Sequence, residues 1–386
     1  METDEPPSVL PPLYAAWLEQ HLGGPIPPER EATCAECAML RPDGAAKRSD
    51  ERYFRAEVKC CSYRPNLPNF LVGQTLSDSD PLVAPGRATL ERRIAGGVTV
   101  TPLGVHSGPI YTLLYRRSRE VAFGRSLRLR CPFYRDEGGG RCDIWRHRNA
   151  VCATFFCRYV RGAIGQRFWG ELLELLEAVE EGLSHWCLAE LGADVTSLRQ
   201  LLPRNPVDDE NPLEPADIDE VADVATYRAT WGHWLGREHE FYRECARLVG
   251  QLRWPDVARL CGARATLLAT LVQAAYADLL SEELPAALVA GAFKIWELSP
   301  DRCCLTSYSL CDSLDAPRAL LAALPYFDGR PWPEAVAAVA EGEGIKLDRS
   351  LVRKLVDFEI LMPVDGTAAT RPPRRSAAPP LRTPGG

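Results

Sequence analysis

The cysteines are the residues of this chain whose type and spacing predict chemistry. The chain has 386 residues and 14 cysteines, and eight of them fall into two groups in its first half. The first group contains Cys34 and Cys37, separated by two residues, and after 22 more residues the adjacent pair Cys60–Cys61. The second group has gaps of 10, 9 and 4 residues and consists of Cys131, Cys142, Cys152 and Cys157. We expect these eight thiols to form a metal-binding site.

The expected compartment favours thiolate ligands over disulfide bonds. The first residues, METDEPPSVLPP, are acidic and proline-rich and lack the basic and apolar segments of a secretory signal. We therefore expect a cytoplasmic protein, and disulfides are rare in the cytoplasm. We expect no membrane partner, because the longest apolar run, at 265–280, is bordered or interrupted by Arg264, Gln273 and Asp278, which leaves it short of the roughly 18 apolar residues of a spanning helix.

The charge around the second cysteine group differs from that of the chain as a whole. Between Arg125 and Arg167 there are ten arginines, no lysine and three acidic residues, which is a local charge of 10 − 3 = +7 in a chain of net charge −7. Several thiolates in one small volume repel one another, and nearby arginine N–H groups stabilise them. We expect the arginines to offset the charge of the cluster rather than to bind nucleic acid.

The spacing favours an iron–sulfur cluster over zinc. Structural zinc sites usually present two close cysteine pairs, whereas this chain has only one, Cys34 and Cys37. The other gaps are wide and irregular, and Cys131 is followed by Pro132, as in many cluster motifs. The adjacent pair Cys60–Cys61 suits two neighbouring irons, or two centres, better than one tetrahedral ion. Zinc is the alternative.

The second group also resembles a known family, the YkgJ-type cysteine-cluster proteins. That family's second half reads CPFL…GxCxIYxxRPxxCRxFPC, and this chain departs from it at Trp145, Asn149, Ala153 and Phe156. The positions that match are Cys131, Pro132, Phe133, Cys142, Ile144, Arg148, Cys152, Phe155 and Cys157. The resemblance covers about residues 31–165 and is weaker in the first half, where 22 residues separate Cys37 from Cys60.

The resemblance implies a zinc- or iron-chelating domain. A related cysteine pattern occurs in flagellin lysine N-methylases, so that the resemblance also leaves open an enzyme that modifies a protein or peptide. The residues themselves reveal no reaction, since the chain has no glycine-rich phosphate loop, nucleophile elbow or HExxH motif.

The chain divides into five parts, and the predicted fold is mainly α. An N-terminal segment at 1–30 precedes a loop-rich cysteine domain at 31–166, in which Ile110–Tyr115 is predicted as a short strand. A helical section at 167–290 has apolar residues at helical spacing in Phe168–Leu191 and in two later stretches, with a linker at 202–216. Strands FKIWEL and CCLTSYSL and three short helices predict a winged-helix-like α+β module at 291–365. The tail at 366–386 is predicted to be disordered.

The remaining six cysteines are interpreted as core residues rather than ligands. Cys187, Cys245 and Cys261 lie singly in helical stretches, and a second metal site at Cys303, Cys304 and Cys311 is the less favoured reading. Three functional hypotheses follow: a metal-binding redox or scaffold protein, a protein- or peptide-modifying enzyme, and a metal-sensing DNA-binding regulator. The net charge argues against nucleic acid as a general partner.

Overall fold

The computed structural model describes residues 10–29, 37–40, 53–193 and 224–364. Within these residues the chain is mainly α-helical, with small antiparallel sheets. The predictions for Cys34, for the first nine residues of the N-terminal segment, for the linker at 202–216 and for the tail at 366–386 lie outside the described residues.

Helix α1 (Pro12–Leu22) starts the described fold and ends at Gly23, whose φ of 71° suits a residue without a Cβ. Tyr14, Trp17 and Leu18 are buried on one face of the helix. The Trp17 indole Nε1 donates to the Leu252 carbonyl at 3.0 Å, which joins α1 to a much later part of the chain.

The cysteine-rich region contains more helix than the loop-rich prediction allowed. Strand β1 (Leu67–Pro68) leads into α2 (Asn69–Ser77), followed by α3 (Ala84–Gly96), β2 (Val100–Thr101), β3 (Gly104–Val105) and α4 (Pro109–Ala122). The order in the first sheet is β1-β3-β2, antiparallel throughout. A hairpin of β4 (Tyr134–Arg135) and β5 (Arg141–Cys142) and the short helix α5 (Ala150–Thr154) complete the region.

The strand predicted at Ile110–Tyr115 is wrong, because these residues belong to α4. The β-branched and aromatic residues of this segment have high strand propensity, but the burial of particular side chains in the fold outweighs this preference. Tyr111 and Tyr115 lie four residues apart on one buried helix face. Pro109 occupies the first helical position, where its missing N–H costs nothing.

The predicted helical section is confirmed over its described part. It consists of α6 (Gly162–Glu190), α7 (Val224–Trp231), α8 (Glu238–Gly250) and α9 (Trp254–Leu280). Helix α9 packs along α6, and α8 packs against α2, so that α2 and α6 join the cysteine-rich region to the helical section in one core. Gly262 interrupts α9 with a φ of 73°.

Among the described helices, α9 alone is long and apolar enough to cross a membrane by length and composition. Its inner face is buried against α6 and α1 at Val257, Ala265, Val272 and Leu279. This contact with the core accounts for the apolar residues along that face.

The C-terminal module begins slightly before residue 291, because β6 (Ala287–Ala290) is the central strand of one of its two sheets. That sheet has the order β10-β6-β11, where β10 is Asp328–Pro331 and β11 is Leu361–Pro363. The second sheet is β7-β8-β9, with β7 at Lys294–Ser299, β8 at Arg302–Thr306 and β9 at Leu314–Pro317.

The predicted strand pair in this module is confirmed as the β7–β8 hairpin. Two of the three predicted helices match α11 (Trp332–Glu343) and α12 (Arg349–Asp357). The third, α10, covers only Leu320–Ala323, because residues 314–317 pair with β8 as β9 instead of starting the helix.

Gly73 makes the contact between α2 and α8 possible. A Cβ at this position would lie 1.8 Å from the Tyr242 carbonyl oxygen, which is backbone and cannot rotate away. We expect Gly73→Ala to lower the free energy of unfolding by about 3 kcal/mol, since the helices must separate. Gly170 in α6 is the matched control, because a Cβ there meets nothing within 4 Å and alanine in a helix gains about 0.5–1 kcal/mol. Urea unfolding of both variants tests this prediction, and equal midpoints would contradict it.

Candidate metal centre

Five of the predicted cysteines line one cavity. They come from three separate stretches of the chain and are Cys60, Cys61, Cys131, Cys142 and Cys152. The other lining groups are apolar or aromatic, among them Phe133, Ile144, Trp145 and Phe155, together with the guanidinium of Arg148. A cavity with several sulfurs, one buried cation and an otherwise apolar wall suits a soft metal better than an organic substrate with many polar groups.

Backbone hydrogen bonds hold the sulfur-bearing segments together. The Cys131 N–H donates to the Cys61 carbonyl at 2.6 Å, and the Tyr134 N–H donates to the Cys131 carbonyl at 3.1 Å. Cys142 lies on β5 directly opposite Tyr134. These backbone contacts fix the adjacent pair, the start of the second group and the hairpin relative to one another.

Cys152 is positioned by the N-terminus of α5. The Asn149 side chain caps this helix and accepts from the Cys152 N–H at 3.2 Å, which is the usual function of asparagine at such a position. Asn149 stands where the YkgJ-type motif has proline, and the capping bond supplies a structural reason for this departure.

The thiols lie close enough to shift one another's pKa. The hydrogen bond with the Cys60 side chain, together with burial and the neighbouring thiolates of Cys142 and Cys131, raises the pKa of Cys61 well above its usual value. The same hydrogen bond lowers the pKa of Cys60, with help from the positive charges of Arg148 and Lys59.

The remaining cavity thiols are dominated by desolvation. Burial raises the pKa of Cys131 to about 11, and burial with the charges of its neighbours raises that of Cys152. A bound cation would have to displace the protons of these thiols, so metal binding here would release protons and depend on pH.

Arg148 forms one wall of the cavity and is 5% exposed. Its Nε donates to the Trp145 carbonyl at 3.0 Å, and its Nη1 donates to the Cys152 carbonyl at 3.2 Å. The guanidinium carbon lies 3.4 Å from the centre of the Trp145 ring. The planar cation is thus held between the segment before α5 and α5 itself, and its charge lowers the pKa of both Cys60 and Cys152.

Most of the other arginines between Arg125 and Arg167 form ion pairs with carboxylates. The positive electrostatic potential at the cavity is therefore smaller than the local charge of +7 suggests. The pairs are Arg130–Asp136, Arg135–Asp143, Arg146–Asp80, Arg161–Asp357 and Arg167–Asp278. Positive charge reaches the thiols from residues that the sequence analysis did not single out. Burial raises the pKa of Cys131 and Cys37, and the charges of Arg64 and Arg93 at Cys131 and of Lys59 at Cys37 offset part of that rise. Lys59 also helps to lower the pKa of Cys60.

Cys37 and Cys157 do not line the cavity. They pack, together with Cys60 and Cys152, against an adjoining aromatic cluster that includes Tyr115. Cys34 lies outside the described residues. In the described part of the chain, no three His, Cys, Asp or Glu side chains are arranged so that they could hold a metal ion. Ligation by the thiols at the cavity would therefore require a different arrangement of their side chains.

The other cysteines follow the core interpretation with one exception. Cys187 and Cys245 meet between α6 and α8, with the Cys187 Sγ 3.9 Å from the Cys245 carbonyl, and the Cys261 Sγ lies 3.8 Å from the Val179 carbonyl. Cys303 and Cys304 are buried in β8. The exception is Cys311, which packs against the same aromatic cluster as Cys37 and Cys157.

His147 is largely buried, although it lies between two arginines in the sequence, Arg146 and Arg148. Its Nε2 lies 2.7 Å from Asp78 Oδ2, and the side chains are 12% and 14% exposed. Asp78 ends α2 and reaches His147 only through the fold, so the pairing has no signal in the local sequence.

Glu180 on α6 contacts the first residue of α5, Ala150. Its Oε1 accepts from the Ala150 N–H at 2.6 Å and from the Tyr14 hydroxyl, and Glu177 is a further nearby carboxylate. Burial raises the pKa of Glu180 to about 8. The carboxyl is therefore protonated in the fold at neutral pH.

This raised pKa makes stability depend on pH. Between about pH 4.5 and 8 the unfolded chain has lost the Glu180 proton while the folded chain retains it, so stability falls as the pH rises. At pH 8 we expect the free energy of unfolding of Glu180→Gln to exceed that of the wild type by about 1–3 kcal/mol, so the variant should unfold at a higher temperature. At pH 4.5 the two proteins should differ little. Thermal unfolding at both pH values tests this. Parallel pH profiles for the two proteins would show that Glu180 does not titrate in this range.

Comparison with known proteins gives no match. No protein-family model, no curated protein and no solved structure matches the chain. The functional argument therefore depends on the cavity and its thiols.

Proposed function

We propose that the protein is a cytoplasmic metal-binding protein of the YkgJ type, with an iron–sulfur cluster favoured over zinc. The observation that carries the proposal is the gathering of Cys60, Cys61, Cys131, Cys142 and Cys152 at one cavity. These residues lie up to 92 positions apart in sequence (152 − 60 = 92). A core without a ligand function has no need to collect five thiols in this way.

Two features of the cavity favour iron–sulfur. The apolar and aromatic wall limits water, and Arg148 supplies a positive charge beside the sulfurs; solvent exposure, charge and hydrogen bonds to sulfur are the factors that set the potential of a cluster. The bound group would supply electron transfer or Lewis acidity, and the residues of this chain would hold and shield it.

Anaerobic purification followed by iron, zinc and acid-labile sulfide analysis tests the proposal. Iron and sulfide in similar amounts, with a brown colour, are expected for the favoured form. Zinc without sulfide would support the alternative metal. A fully folded, anaerobically purified chain with neither metal, which also takes up neither metal on reconstitution, would refute the proposal.

A second candidate is an enzyme that modifies a protein or peptide, in which the winged-helix-like C-terminal module would bind the substrate. The surface of β7 favours it, because Ile295, Trp296 and Leu298 are 50%, 45% and 51% exposed on a strand at the edge of its sheet. An extended peptide adds to such an edge through main-chain hydrogen bonds. Methyl transfer from S-adenosylmethionine to a protein substrate, lost in the Cys152→Ser variant, would support this candidate.

The structure offers less support to DNA recognition by the module. Arg349 donates to the Glu282 carbonyl at 2.9 Å, and Arg353 bonds both the Ser281 carbonyl and Asp357. The basic side chains of α12 thus hold the module to the end of α9 instead of facing outward as a set.

A further inference from the structure

The outer face of α9 is apolar although it is exposed to solvent. Leu267 and Leu271 lie one helical turn apart on this face and are 63% and 39% exposed. No charged residue occurs between Arg264 and Asp278 in the sequence, whereas the outer face of a helix in a globular protein is usually charged or polar. Packing against α6 and α1 accounts for the inner face of α9 only. A continuous apolar patch of this kind is typical of a surface that contacts a partner.

The exposed positions of this face have the spacing of a helix–helix contact. They recur at alternating steps of four and three residues, which keeps them on one line along the helix. These positions are Ala263, Leu267, Thr270, Ala274 and Ala277. All of them except Leu267 are small, and small side chains allow two helices to approach to the shorter end of the usual 8–10 Å between their axes. The face therefore suits a second helix better than a flexible peptide.

The two threonines of the face need no water to satisfy their hydroxyl groups. Thr266 Oγ1 donates to the Gly262 carbonyl at 3.2 Å, and Thr270 Oγ1 donates to the Thr266 carbonyl at 3.1 Å. Both hydroxyls thus bond to the backbone of their own helix. Another apolar surface can cover them without leaving an unpaired polar group, so the usual cost of burying a hydroxyl is avoided.

The charges at the two ends of the face are opposite in sign. Arg264 pairs with Glu181 of α6, and Asp278 pairs with Arg167 of α6. The Arg264 and Asp278 side chains are 53% and 52% exposed, so each can also reach a charged group on a neighbouring molecule. The two residues lie 278 − 264 = 14 positions apart, which is close to four helical turns and places them on the same side of α9.

This charge pattern is complementary to itself only in an antiparallel arrangement. Arg264 and Asp278 are equally distant from Leu271, since 271 − 264 = 278 − 271 = 7. Two copies of α9 that run in opposite directions about Leu271 therefore place Arg264 of each copy beside Asp278 of the other. Two parallel copies would place like charges together, which is unfavourable.

We propose that the outer face of α9 is an interface between two copies of this chain, in which the two helices pack antiparallel about a two-fold axis at Leu271. A two-fold axis brings the same surface of both molecules together, as the self-complementary charges require. A contact of four turns is about 22 Å long. It lies at the low end of specific interfaces, so the dimer should form and dissociate with protein concentration. This inference goes beyond the proposed function and does not depend on a bound metal.

Sedimentation velocity of the full-length protein at low ionic strength, from about 1 to 100 µM, measures the association. We expect the wild type to change from monomer to dimer in this range and Leu271→Lys to remain a monomer, because it places two ammonium groups together at the axis. Val121→Lys is the matched control at an exposed apolar residue of α4 and should dimerise like the wild type. Circular dichroism establishes that each variant is folded.

Two outcomes of this experiment would overturn the interface. One is a folded Leu271→Lys that dimerises as strongly as the wild type. The other is a wild type that stays monomeric over the whole range. If that monomer floats with vesicles of phosphatidylcholine and phosphatidylserine and Leu271→Lys does not, the face is a membrane contact instead.

Exchange of the terminal charges tests the antiparallel arrangement. Arg264→Glu brings two carboxylates together at each end of the dimer, and Asp278→Arg brings two guanidinium groups together. Each variant alone should therefore dimerise about 10-fold more weakly than the wild type or worse. A mixture of the two variants has one attractive pair at each end and should associate with nearly wild-type affinity. Single variants that dimerise like the wild type, or a mixture no stronger than its components, would contradict this arrangement.

Discussion

Cys152→Ser is expected to lose most of the bound metal, while Cys261→Ser keeps it. Cys152 lines the cavity at the start of α5, and serine places a hard oxygen where a soft thiolate is required. Cys261 packs against α6 near the Val179 carbonyl, so the same substitution there removes only a packing contact. Since changing a group that merely supports a ligand costs about 10-fold to 100-fold in metal affinity, loss of a ligand should cost at least as much.

Elemental analysis of the two variants, purified in parallel with the wild type, measures this difference. Cys187→Ser provides a second control in the buried contact between α6 and α8. Circular dichroism establishes that each variant is folded. The interpretation of Cys152 as a ligand is wrong if folded Cys152→Ser and Cys261→Ser carry the same metal.

Metal retention should decrease from the wild type to Arg148→Lys and further to Arg148→Ala. Lysine keeps the positive charge but loses the planar fork that donates to two carbonyls and stacks on Trp145. Alanine removes the charge as well and leaves the carbonyls of Trp145 and Cys152 without these bonds. We expect Arg148→Ala to weaken metal binding by about 10-fold to 100-fold, and Arg148→Lys by less.

Arg146→Ala is the matched control for this series. Arg146 lies two residues away, its side chain is 50% exposed, and it pairs with Asp80 away from the sulfurs. Competition with a chelator of known strength ranks the variants by metal affinity. Unchanged metal affinity in Arg148→Ala, together with weaker binding to RNA or DNA, would reassign the arginine to nucleic-acid binding.

Regular elements with strong local patterns were predicted well from the sequence. Helix α6 repeats apolar residues at helical spacing for eight turns, and β7 and β8 are joined by a short turn, so local chemistry alone specifies both. The prediction failed at Ile110–Tyr115, where local propensity favours a strand. There the burial of Tyr111 and Tyr115 against residues from distant segments favours a helix over a strand.

The sequence by itself determined which residues are predicted to bind metal. The grouping of the eight cysteines and the motif around Arg148 are local features, because ligand spacing and backbone turns act over a few residues. Five of these cysteines and Arg148 face one cavity in the structure.

Only the tertiary structure decided which groups surround the thiols. Arg161 is paired with Asp357, which is 196 residues away, and Asp312 accepts from the N–H of Tyr159, 153 residues earlier. Such contacts have no signature in the sequence, because the energy of burying a charge or a thiol depends on the segments that the fold brings around it. For this reason most of the arginines near the second cysteine group pair with carboxylates, and Cys311 of the C-terminal module packs against the same aromatic cluster as Cys157.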